Sequence, residues 1–150
     1  MRKGFTLIEI IVATTLMVIL VAVYFLTANP AGQLASSRNS ERLLQLQTIM
    51  NAVRQNIADQ PAGQFLCASG PMPTSSKRMT SNAGAANYNI APCIIPTYIF
   101  AMPFDPSAAG AHYTLVSDYD TAYTISVSTS GVITLGAPYA ELGKTVSVSR

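Results

Sequence analysis

Residues 5–28 read FTLIEIIVATTLMVILVAVYFLTA, and Glu9 is the one charge among them. As a helix, rising ~1.5 Å per residue, this stretch would be about 36 Å long, more than the ~30 Å hydrocarbon core of a bilayer. From Ile10 to Ala28 there is no charge at all, and Arg2 and Lys3 precede the run. Basic residues ahead of an apolar span keep that end cytoplasmic, so the remainder is expected to be exported. A cleavable secretory signal has a shorter apolar run and ends in a small-x-small site. A plain membrane anchor fits the length but gives no reason for Glu9, which costs roughly 2.5–3.5 kcal/mol near a bilayer interior and so demands a partner.

Composition supports an anchor joined to a small domain. The chain has 150 residues, 49% hydrophobic and 11% charged, against about 25% charged in ordinary soluble domains. Much of the apolar excess lies in the N-terminal run. Arg2 and Lys3 account for the whole formal charge of +2, and without them seven basic side chains face seven acidic ones. A near-neutral body gives little reason to expect nucleic acid or another acidic partner.

Beyond the run, Pro30 and Gly32 interrupt the helical pattern. Helical spacing resumes to about Asp59, with Leu43, Leu46, Met50, Val53 and Ile57 on one apolar stripe and Arg38, Glu41, Arg42, Gln45 and Arg54 mostly off it. Residues 60–112 are rich in Pro, Gly, Ser and Ala and read as a long connection. Residues 113–117, 122–128 and 132–135 read as three antiparallel strands, with residues 146–149 as a fourth short one. The segment 117–120 between the first two strands reads as a hairpin loop.

Gly4-Phe5-Thr6-Leu7-Ile8-Glu9 behind a short basic leader resembles the processing site of type IV prepilins and type II secretion pseudopilins. The resemblance implies cleavage by a membrane peptidase between Gly4 and Phe5, and N-methylation of the Phe5 amine. It also implies that Glu9 sets assembly register by pairing with the Phe5 amine of a neighbouring subunit. A glycine at the cut lets extended backbone enter a protease without a Cβ clash, and an ion pair in low dielectric favours one register over others. The implied fold is α+β, the type IV pilin fold. A long N-terminal helix, half membrane-spanning and half amphipathic, packs under an antiparallel sheet of three to four strands. The implied organisation is leader 1–4, transmembrane and assembly helix 5–29, amphipathic helix 30–59, variable connection 60–112 and sheet 113–150.

The implied function is structural, as a subunit of a type IV pilus-like filament or a secretion pseudopilus, anchored by a single pass with its C-terminal domain exported. Its partners would be other filament subunits, the prepilin peptidase, an inner-membrane assembly platform and membrane lipid. Pro103-Phe104-Asp105-Pro106 is a turn signal, and it resembles a segment found before the first strand of pseudopilins. The alternative is a membrane-tethered binding module that never polymerises.

Little else in the chain suggests chemistry. His112 is the lone histidine and has no nucleophile motif beside it; no catalytic residue, cofactor or metal is expected. Asp118 and Asp120 could contribute to a calcium loop but would leave most of the coordination shell unfilled. Lys77-Arg78 reads as a solvated loop pair. Cys67 and Cys93 lack CxxC spacing. In an exported, oxidising setting a disulfide is the natural reading and two free thiols the alternative. Many pilins place their disulfide nearer the C-terminus.

Overall fold

A computed structural model describes residues 4–82 and 84–150. Arg2 and Lys3, on which the topology expectation rests, lie outside the described residues. The chain divides into two compact units, Met1–Leu34 and Ala35–Arg150.

In the first unit, helix α1 runs Leu7–Ala28. Thr6 is its N-cap, and its side chain accepts from the Glu9 N–H. α1 ends at Asn29, which takes a left-handed conformation (φ 35°). Asparagine tolerates this region because its short amide bonds locally. Here the Asn29 carboxamide oxygen accepts from the Gly32 N–H (3.2 Å). Helix α2, Pro30–Asp59, therefore starts directly after the break. Pro30 stands at its first position, where a missing N–H costs nothing. A Cβ on Gly32 would come within 2.7 Å of the Asn29 side chain, so the glycine leaves room for that cap.

In the second unit, α2 packs Leu46, Ile49, Met50, Ala52 and Val53 into a core shared with a six-stranded sheet. Its strands are β1 (Lys77–Thr80), β2 (Asn87–Tyr88), β3 (His112–Leu115), β4 (Asp118–Val127), β5 (Ile133–Ala137) and β6 (Val146–Ser149). A short helix α3 (Ala91–Ile94) lies between β2 and β3. The order is β2-β1-β4-β5-β6, with β3 also paired to β4. All pairings are antiparallel except the parallel β1–β2. The α+β class holds, but the sheet is wider than the three to four strands expected and is mixed. The two added strands and α3 come from the stretch expected to be a connection. Their buried Met79, Tyr88, Ile90 and Ile94 complete the core, which is why that stretch is ordered.

The loop expected at 117–120 is mostly strand. β3 and β4 are joined across Val116 and Ser117 alone, and Tyr119, Thr121, Tyr123 and Ile125 point inward from β4 at alternate positions. β4 also carries a bulge. Opposite the two-residue step from Arg78 to Thr80, β4 advances from Thr124 to Asp120, with Ala122 at φ 60°. Such a bulge frees ladder groups for other partners.

Candidate assembly site

The segment ahead of α1 is open. A Cβ on Gly4 would meet nothing within 4 Å, Phe5 is 78% exposed, and both residues precede the helical hydrogen bonding that starts at Thr6. The Gly4–Phe5 peptide thus lies outside the helix and is accessible. Thr6 to Glu9 has the T-x-x-E spacing of a capping box, with the Thr6 hydroxyl accepting from the N–H of the third helical residue. Glu9 therefore also has a local role, as an acid in the first turn of a helix whose N-terminus favours negative charge. That competing role was not visible until the helix start was placed.

The large apolar residues of α1 are 49–85% exposed. Its 22 residues rise about 33 Å, and the helix is long and apolar enough to cross a membrane. A residue run of this kind is stable only when lipid or other protein covers it.

The chain carries the prokaryotic N-terminal methylation motif. The family model described by that name matches residues 1–25, the prepilin-type motif of type IV pilins and pseudopilins. No curated protein and no solved structure matches the chain. The motif covers Gly4, Phe5 and Glu9 and ends within α1.

The body holds a second constellation, which the sequence reading missed. Arg42 was placed off the apolar stripe, yet it is fully buried, whereas Leu43, assigned to the stripe, is 39% exposed. The buried face runs through Asn39, Arg42, Leu46, Ile49, Val53 and Asn56. Arg42 sits four residues before Leu46 and seven before Ile49, so its spacing alone marked it as facing inward. Its guanidinium donates from Nε and Nη2 to both oxygens of buried Asp105 (2.7 and 3.1 Å). Nη1 donates to Asn39 Oδ1 (2.7 Å) and Glu141 Oε2 (3.2 Å), and Nη2 also reaches the Ser107 hydroxyl. Arg38 clamps Glu141 with two bonds of 2.7 Å. Asn39 bonds both the N–H and the C=O of Glu141 through its carboxamide.

The β4 bulge sets this geometry. Thr121 turns its hydroxyl to the Met79 carbonyl and its own carbonyl to the Asp105 N–H (3.0 Å), which seats Asp105 over Arg42. Pro103 and Pro106 flank a true turn, in which Asp105 Oδ1 accepts from the Ser107 and Ala108 N–H groups. Burial pushes the Asp105 carboxyl up, but Arg42 and these amides outweigh it and hold it below its usual value. Arg38 and Arg42 draw Glu141 down to about 2. The hydrogen bond to Asp105 is the largest influence keeping Arg42 charged.

The remaining candidates resolve locally. Cys67 and Cys93 form a disulfide. It is buttressed by Asn56, whose amide donates to the carbonyls of Leu66 and Cys93 and whose oxygen accepts from the Leu66 N–H. Arg78 is a β1 residue paired to Asp120 at 2.6 Å, not part of a solvated loop. Asp118 pairs with His112 at 3.2 Å. Both carboxylates of the suggested calcium loop thus lie on a strand, Asp120 facing the Arg78 guanidinium and Asp118 the His112 ring. Among the described residues, no group of three His, Cys, Asp or Glu is placed to hold a metal ion.

Proposed function

We propose that this chain is a structural subunit of a type IV pilus-like filament or type II secretion pseudopilus, with no catalytic role. A prepilin peptidase cuts between Gly4 and Phe5, and the Phe5 amine is methylated. The subunit waits in the membrane on α1 with its body exported, and an inner-membrane platform then stacks it into a filament in the periplasm or at the cell surface. The observation that carries this reading is the methylation motif on an α1 whose large apolar side chains are exposed.

In this reading Glu9 keeps register by pairing with the Phe5 amine of a neighbour. Glu9→Gln separates that role from capping, because glutamine also serves in a capping box. Filaments should be lost in Glu9→Gln as fully as in Glu9→Ala; normal filaments from either variant would remove the register role.

Terminal mass spectrometry of the protein from its native membrane tests the pathway itself. A chain beginning at methylated Phe5, and absent when the prepilin peptidase is deleted, is expected. A chain still beginning at Met1, or cut beyond the apolar run, would overturn the proposal.

A further inference from the structure

Outside the Arg42 cluster, three cations without an acidic partner lie toward the β6 side of the body, while Lys77 stands apart on β1. Arg54, Lys144 and Arg150 have no acidic partner among the described residues. Arg54 and Arg150 line one groove of about 530 Å³ with Ile57, Ala58, Gly131 and Ile133. An adjoining hollow joins Arg150 to Gln47, Asn51 and Val148 of the edge strand β6. Lys144 lines a further hollow with Ser40, Leu43 and Val146 along the same side of α2.

The free acids of α2 stand on its other side. At about 100° per residue, Glu41 and Asp59 share one edge of the helix, and Arg54 lies roughly 140° away across the exposed arc. The Glu41 carboxylate has the neutral amide of Gln45 as its partner (3.0 Å), and Asp59 has the Tyr98 hydroxyl. Two arginines lining one groove make it attractive to an anion. Within a single body the free carboxylates of α2 face away from it.

A cationic groove on one flank and an acid on the opposite edge make a head-to-tail contact that need not close on itself and so can propagate. Glu41 and Arg54 are separated by about 20 Å along α2. Parallel copies shifted by that amount bring them together. We propose that Glu41 of one copy enters the Arg54–Arg150 groove of the next. This rests on the filament reading and gives the body its own charge register, apart from that of Glu9. The occupant is a second copy of this chain, because Glu41 supplies the missing charge from an exposed edge.

The test uses the full chain in its native host with its assembly machinery. Arg54→Glu, Glu41→Arg and the two together are compared by the share of protein in sheared filaments. Each single reversal should lower that share about tenfold or more, since like charges then face each other. The double reversal should raise it well above the worse single reversal, with the cationic Arg150 that stays in the groove keeping it short of wild type. Intact mass without reductant and thermal melting in detergent check that each variant keeps its disulfide and fold, and a misfolded single variant is replaced by Arg54→Gln or Glu41→Gln. Wild-type filaments with single variants unaffected, or a double variant no better than the worse single, would overturn this contact alone. The latter result would assign the groove to another anion. Absence of the wild-type chain from filaments would overturn the filament reading, and the contact with it.

Discussion

Two helices of this chain break the usual rule of apolar inside and charged outside, in opposite directions. α1 leaves its leucines, isoleucines, valines and phenylalanine uncovered, while α2 buries Arg42 completely. The difference lies in where the compensation comes from. Arg42 finds two carboxylates, a carboxamide and a hydroxyl within its own body. Among the described residues α1 finds no such cover, so it must come from lipid or from other protein. A buried charge with all its partners in the chain marks a fold that is finished. An apolar helix left exposed marks a surface that lipid or other protein must cover.

The sharpest way to break that contrast is Asp105→Ala, which takes from the buried Arg42 guanidinium its two-bonded carboxylate partner. The expected loss is about 3–5 kcal/mol, read as a fall in the thermal midpoint of the full chain in detergent. Replacing Arg42 and Asp105 together by Met and Leu should cost much less than Asp105→Ala alone. A larger loss in the double variant would mean that the cluster stabilises by more than mutual compensation. Next in size is the disulfide. Cys67→Ser with Cys93→Ser opens a loop of 26 residues and should cost about 3.5 kcal/mol in the chain-entropy model. On the α1 side, Val18→Arg should cost roughly 2.5–3.5 kcal/mol of membrane insertion and reduce the membrane-bound share while leaving the melting of the body unchanged.

The smallest effect is that of acid. Asp105 and Glu141 are both held below their unfolded values of 3.8 and 4.5. Their contribution is therefore complete above about pH 4.5 and is lost as pH falls toward 2. Melting against pH should show this decline, and Glu141→Gln should flatten its lower part. Stability that rises on acidification would contradict the assigned pairing.

The two regions were also unequally legible in the sequence. α1 needs no tertiary partner to be recognised, because an apolar run of that length has one stable environment, and the residues around its start carry their chemistry in their order. In the body, legibility stopped wherever a polar residue was satisfied by something distant. Arg42 was placed off the apolar stripe because its partner Asp105 lies 63 residues on, between prolines that signal only a turn. Lys77 and Arg78 were read as loop because the acid that holds Arg78 in a strand is Asp120, 42 residues away. Asp118 and Asp120 were read as a turn for the same reason in reverse. Tyr119 between them is almost wholly buried, and the alternation was there to see, but paired aspartates outweighed it.

The β4 bulge links three parts of the body through one atom, the Thr121 carbonyl. It bonds the Asp105 amide, Asp105 cages Arg42, and Arg42 belongs to α2. A partly folded body that has the helix but not the bulged strand leaves a guanidinium in an apolar layer without its counter-ion, which is among the costliest states a small domain can occupy. Intermediates of that kind are therefore drained toward either the native body or an open chain. In the filament subunit proposed above, such all-or-none behaviour would be a form of proofreading. Proteases would meet either a closed body or an open chain, and half-made bodies would not accumulate.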